Sequence, residues 1–121
     1  LIVFRGHQHD VQTVRELVRY FNEHSRPTCY LGDFDPAGLN IALDHDYSHI
    51  LLPELQLLQR PGYTERYSSR QQEGFERLLH RSCDWSAGHV LQPYMHIMLQ
   101  QQRSLRHQRY RGALECLPLP K

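Results

Sequence analysis

The chain has 121 residues, 40% of them hydrophobic, and a formal net charge of +1. That length and composition suit one globular domain with a real core and exclude a disordered tail. No apolar run reaches membrane-spanning length and no signal peptide is visible, so no membrane partner is expected.

Leu1 to Phe4 is a continuous apolar run, the pattern of a strand buried on both faces of a parallel sheet. Arg5 to His9 reads as a loop. Asp10 reads as the cap of a helix whose apolar face is Val11, Val14, Leu17, Val18 and Phe21. This helix is expected to end near His24, and Pro27 bars its continuation. A second strand, Thr28 to Leu31, runs through Gly32-Asp33-Phe34-Asp35 into a helix from Pro36 to about Leu43. Pro36 suits the first helical position, where its missing N–H costs nothing. Strand, helix, strand, helix with short connections predicts a parallel pair with helices packed on the sheet.

Asp44-His45-Asp46 is a polar break, read as a loop that caps neighbouring ends rather than as a metal site. Tyr47 to Leu52 reads as a third strand stopped by Pro53. Glu54 to Gly62 reads equally as a helical turn or a loop. Thr64 is expected to cap a helix to about His80, with Tyr67, Phe75, Leu78 and Leu79 as its apolar positions. Ser86 is expected to cap another, along which Leu91, Tyr94, Met95, Met98 and Leu105 keep one stripe. Pro93 kinks that helix or marks the start of its long part. A basic tract, Arg103, Arg106, His107, Arg109 and Arg111, ends the helix at Gly112. Ala113 to Leu117 reads as a last strand. The fold class is α/β: a mostly parallel sheet flanked by helices, with a helical C-terminal part.

The chemistry gathers at Asp33 and Asp35. A strand that ends in two acids one residue apart and turns into a helix presents both at the carboxyl edge of the sheet, where open α/β sheets bind ligands. Two carboxylates this close repel each other, and a divalent cation removes the repulsion. Mg²⁺, or Mn²⁺ in its place, suits the pair because Mg²⁺ needs only one or two carboxylates and keeps several waters. Of the 14 Lys and Arg residues all but Lys121 are Arg, the side chain favoured for phosphate forks. Arg103, Arg106, Arg109 and Arg111 beside an acidic metal pocket suit a polyphosphate partner, with DNA the expected polymer. Read alone, the tract is better explained as a solvated helix face. An EF-hand loop starting at Asp33 fails at Ala37 and Ile41, where oxygen ligands belong. Cys29, Cys83 and Cys116 are widely spaced, without CxxC, as expected of reduced thiols in the cytoplasm.

Gly32-Asp33-Phe34-Asp35-Pro36-Ala37-Gly38-Leu39, following a strand, resembles the second acidic motif of the Toprim fold, the metal-binding domain shared by topoisomerases, primases and related nucleases. Its wording is most similar to the branch holding the topoisomerase VI A subunit, the meiotic break-forming transesterases and the nuclease subunit of the Wadjet plasmid-defence system. The resemblance covers Leu1 to about Leu52. It implies one Toprim-like domain over residues 1–121, read as the C-terminal fragment of a longer protein because the chain opens without Met. Other domains or subunits of that protein are its expected partners. The implied activity is Mg²⁺-dependent phosphodiester cleavage or transesterification. Asp33 and Asp35 would be the catalytic metal ligands, and water or a Tyr of another domain the nucleophile. The haloacid-dehalogenase type also carries Asp-x-Asp after a strand, but it needs a Thr near the second acid, where Ala37 stands, and a Lys further on.

One residue departs from the family. A Glu that contributes to metal binding and acid/base chemistry ends its first strand, and Arg5 stands there in this chain. Arg can neither bind a cation nor take up a proton near neutral pH. The alternative expectation is therefore a catalytically impaired DNA- or protein-binding module in which Arg5 pairs with Asp33 or Asp35 and replaces the cation. His7, His9 and Asp10 are weaker substitutes for the missing Glu. A third expectation is an assembly domain of a defence or chromosome-maintenance complex, marked by an apolar patch on the last two helices.

Overall fold

Three parallel strands carry the architecture. β1 (Ile2–Arg5) pairs with β2 (Thr28–Leu31), and β2 pairs with β3 (His49–Pro53). The last strand, β6 (Leu114–Pro118), returns antiparallel along β3, giving the order β1-β2-β3-β6. The computed structural model describes residues 2–5, 11–66 and 69–120. Between the parallel strands run α1 (Val11–Glu23) and α2 (Pro36–Asp44). After β3 come a short turn of helix, α3 (Leu55–Leu58), and a two-residue strand, β4 (Glu65–Arg66). Two longer helices follow, α4 (Gln72–Ser82) and α5 (Gln92–Gln101), and then β5 (Arg103–Ser104), which pairs antiparallel with β4. The chain is thus a mixed α/β fold with a mostly parallel sheet, as the alternation of elements predicts.

One face of the sheet builds the core. Phe4, Tyr30, Ile50, Leu52 and, at the margin, Leu117 pack with Val14 and Val18 of α1, Leu39 and Ala42 of α2, and Tyr94, Met95 and Met98 of α5. Positions that alternate to the other face, such as Val3, Leu31 and Leu51, add nothing to that cluster. This corrects the expectation of an opening strand buried on both faces. β1 is an edge strand, and Ile2 and Val3 stay 37% and 45% exposed. Leu17 of α1 is likewise exposed, whereas Val14 and Val18 are buried as the helical spacing predicts. Asp10, His7 and His9 lie outside the described residues, as does Tyr67.

The second half departs further from its local patterns. Thr64 caps no helix. It is buried before β4, and its Oγ1 accepts a hydrogen bond from Arg103 Nε at 2.8 Å. The helix expected from Thr64 begins only at Gln72. Ser86 caps no helix either: Pro93 lies in the first turn of α5, the true start of that helix. The largest difference is the basic tract, which is not helical. α5 stops at Gln101, and Gln102 takes a left-handed conformation (φ 50°) that reverses the chain. Residues 103–111 then cross the molecule as an extended strap with one 3₁₀ turn, His107–Arg109. The C-terminal part is therefore helical only as far as Gln101. Among the described residues, large exposed apolar side chains sit on β1, α1, β6 and singly at Leu79 of α4, not as a patch on the last two helices.

Candidate functional site

The site begins with Phe34. Its side chain is fully buried, and its backbone exchanges two hydrogen bonds with Leu105 of the strap, N–H to O at 2.8 Å and the reverse at 3.0 Å. In an extended segment successive side chains point to opposite sides. Burying Phe34 therefore turns Asp33 and Asp35 out together, just past the carboxyl end of β2. Asp35 is extended (φ −157°, ψ 170°) and caps α2: its Oδ1 accepts the Gly38 N–H at 2.7 Å. Its Oδ2 accepts from Gln71 Nε2 at 3.3 Å. Gly38 has no room for a side chain, because a Cβ would overlap the carbonyl oxygen of Asp33. The acid loop and the first turn of α2 are thus in backbone contact.

Asp33 is held by the strap. Its Oδ1 accepts the His107 N–H at 2.9 Å and lies 2.8 Å from His107 Nδ1. An ionised carboxylate only accepts, so the ring proton sits on Nδ1 in that contact. Tyr110 O–H donates to the Gly32 carbonyl at 2.5 Å. Burial, with help from both acids, pushes the Tyr110 phenol well above its ordinary range, which keeps the O–H protonated as the donor of that hydrogen bond. Burial is also the main reason the Asp35 carboxyl is pushed up, with the charge of Asp33 adding to it and the Gly38 N–H opposing it.

Two cavities meet at the acid pair. One, about 80 Å³, is lined by Tyr30, Asp33, Asp35, Gly38 and His107. The other, about 330 Å³, is lined by Asp33, Asp35, Glu65, Arg66, Gln71 and Arg106. Both carboxylates open onto the same space, and Asp33 Oδ2 has no hydrogen bond among the described residues. Two carboxylates lining one cavity, with spare lone pairs, fit the modest ligand demand of Mg²⁺. Among the described residues no group of three or more His, Cys, Asp or Glu is arranged to hold a metal, so the protein's share of such a site would be two carboxylates.

The expected site residues are distributed as follows. Asp33 and Asp35 line the same two cavities. Arg5 ends β1 in register with Leu31 and is exposed, but the residue hydrogen-bonded to Asp33 is His107. Among the described residues no ion pair joins Arg5 to either acid, so the place expected for its guanidinium is filled from the strap. Of the four tract arginines, only Arg106 shares the acid cavity. Arg103 donates to the Thr64 side chain and carbonyl, and Arg109 pairs with Glu65, so both latch the strap to the β4 segment. Arg111 is exposed, and its backbone exchanges hydrogen bonds with the Tyr63 hydroxyl. Asp44, at the far end of α2 and roughly 12 Å from its start, is bound by Arg77 and Arg81 and does not belong to the site. His107, known from the sequence only as part of the basic tract, and Tyr110, Gln71 and Arg66 also face the acid pair or its loop. The helices expected over 103–111 and from Thr64 to about His80 set His107 and Tyr110, and Arg66 and Gln71, on helix faces, and no local signal placed them on the acids.

The capping role of Asp35 separates from its charge. Asn caps a helix as well as Asp, whereas Ala costs about 1 kcal/mol. In EDTA at neutral pH, Asp35→Asn is expected to unfold in urea within about 0.5 kcal/mol of the parent or above it, and Asp35→Ala about 1–2 kcal/mol below. The parent should also lose stability as pH rises from the unfolded carboxyl value, ~3.9, through the raised folded value. The folded state holds the proton more tightly there, so deprotonation favours unfolding. Asp35→Asn should lack that component of the pH profile.

Fold and site together define a mixed α/β domain with an acid pair at the carboxyl edge of its parallel strands. The chain belongs to the family described as "Domain of unknown function (DUF7281)", whose family model matches residues 1–110. No curated protein and no solved structure matches it. Among the described residues no helix is long and apolar enough to cross a membrane.

Proposed function

We propose that this is a Toprim-like nucleic-acid-processing domain in which Asp33 and Asp35 hold Mg²⁺ for phosphodiester cleavage or transesterification. The observation that carries the reading is the convergence of both carboxylates on one cavity at the end of β2. Burial that raises the Asp35 carboxyl adds to it, because a charged acid placed there is stabilised by a cation. When bound, the cation supplies charge stabilisation to a phosphodiester and its leaving oxygen. The chain's own residues orient the pair: Gly38 N–H fixes Asp35, and the His107 N–H and ring fix Asp33. Water, or a hydroxyl from another domain, is the nucleophile in this reading.

A second reading has its own observation. His107 already stands on Asp33, and Arg5 replaces the Glu of the resembled family, which suits a DNA- or protein-binding module without catalysis. Titration of the EDTA-treated protein with Mn²⁺, followed by electron paramagnetic resonance, decides between them. The first reading expects one bound Mn²⁺, lost in Asp33→Asn, together with nicking of plasmid DNA that the same variant abolishes. No bound Mn²⁺, with DNA binding intact, leaves the second.

A further inference from the structure

We propose that Arg66 and Arg106 form a phosphate clamp in the acid-pair cavity, so that the cavity takes one phosphodiester group of a nucleic-acid strand. The inference rests on the reading of Asp33 and Asp35 as cation ligands, and it adds a residue, Arg66, that the acidic motif does not contain.

Both guanidinium-bearing residues line the cavity of about 330 Å³ that Asp33 and Asp35 open onto. That volume is at the small end of ligand pockets and suits a single charged group with its immediate neighbours. Neither Arg66 nor Arg106 has an ion pair or side-chain hydrogen bond among the described residues. The neighbouring arginines are engaged: Arg103 holds Thr64, and Arg109 pairs with Glu65. Glu65 is the third acid of the cavity, and Arg109 neutralises it. The balance left is two carboxylates against two guanidiniums, and a divalent cation on the carboxylates would make it positive.

The backbones that carry the clamp are fixed relative to the acids. Arg66 pairs with Arg103 in the β4–β5 ribbon. Arg106 follows Leu105, which bridges Phe34 between the two acids. Holding binding groups on a paired backbone limits the ordering cost of binding. A planar fork of N–H donors matches phosphate oxygens. A carboxylate ligand would offer fewer oxygens to the two guanidiniums and the cation at once.

The test is fluorescence anisotropy of a labelled single-stranded thymidine oligonucleotide, in EDTA and in Mg²⁺, across a salt series. Arg66→Gln and Arg106→Gln are each expected to make the slope of log affinity against log salt shallower by about 0.7, and the double variant by about 1.4. At low salt the double variant should bind roughly tenfold or more weakly. Mn²⁺ affinity, read separately, should be unchanged or tighter, since two positive charges have been removed. Arg19→Gln, on α1 beside a separate cavity, should leave the slope alone. An unchanged slope in the double variant, or an equal loss in Arg19→Gln, overturns the clamp. Failure of the parent to bind Mn²⁺ overturns the reading of the acids instead, because the clamp is read in EDTA.

Discussion

Phe34→Ala is expected to lower the unfolding free energy by about 3–5 kcal/mol, a fall in melting temperature of roughly 10–20 °C. Phe34 is fully buried, packs within 6.3 Å of the Tyr94 ring (centroid to centroid), and sits between the two acids. Removing the ring leaves a cavity and frees the segment from the backbone pair it makes with Leu105. The acids should therefore lose their shared geometry as well as the domain its stability. Leu119→Ala provides the comparison. Leu119 is buried beside Ser48 at the amino-terminal end of β3, the opposite end of the sheet from the acids. It should cost about 2–5 kcal/mol and leave Mn²⁺ affinity unchanged, whereas Phe34→Ala weakens it. Thermal unfolding paired with Mn²⁺ titration reads both quantities. Equal Mn²⁺ affinity in the two variants would show that the inward turn of Phe34 does not aim the carboxylates.

The same substitution at two glycines should act with opposite sign. Gly38→Ala is expected to destabilise by about 3 kcal/mol or more, because the new Cβ meets the carbonyl oxygen of Asp33, and backbone cannot move aside as a flexible side chain can. The helix propensity gained, about 1 kcal/mol, does not offset that overlap. Gly74 lies in α4, where a Cβ would have its nearest neighbours at 3.6 Å, an ordinary contact with Ala37 and Pro36 of α2. There Ala keeps the propensity gain, and Gly74→Ala should stabilise by about 0.5–1 kcal/mol. Urea unfolding of both variants checks the pair. A neutral Gly38→Ala would mean that the acid loop and α2 separate more readily than their contact implies.

Much of the first half was legible because its signals are local. Alternating strand and helix patterns, Pro36 in a first turn and Pro27 before a strand each act within a few residues. They place β2 and α2 where the structure has them, and with them Asp33 and Asp35. The place of Arg5 at the end of β1 was legible too, but the expectation that it partners the acids was not met. The residue that reaches Asp33 comes from the far end of the chain. The strap was misread for a related reason. Leu105 continues the apolar spacing of α5, and a helix would bury it as well as a strap does. What stops the helix is Gln102 turning left-handed and Leu105 finding Phe34.

Composition and local pattern by themselves determined an α/β domain, its parallel strands and an acid pair at a strand end. The tertiary structure alone decided which groups face that pair: His107 on Asp33, Gln71 on Asp35, Arg66 and Arg106 in the same cavity. Local spacing can say that a side chain needs burial or a partner. Only the folded chain, by bringing residues far apart in sequence within hydrogen-bond reach, says which partner it gets.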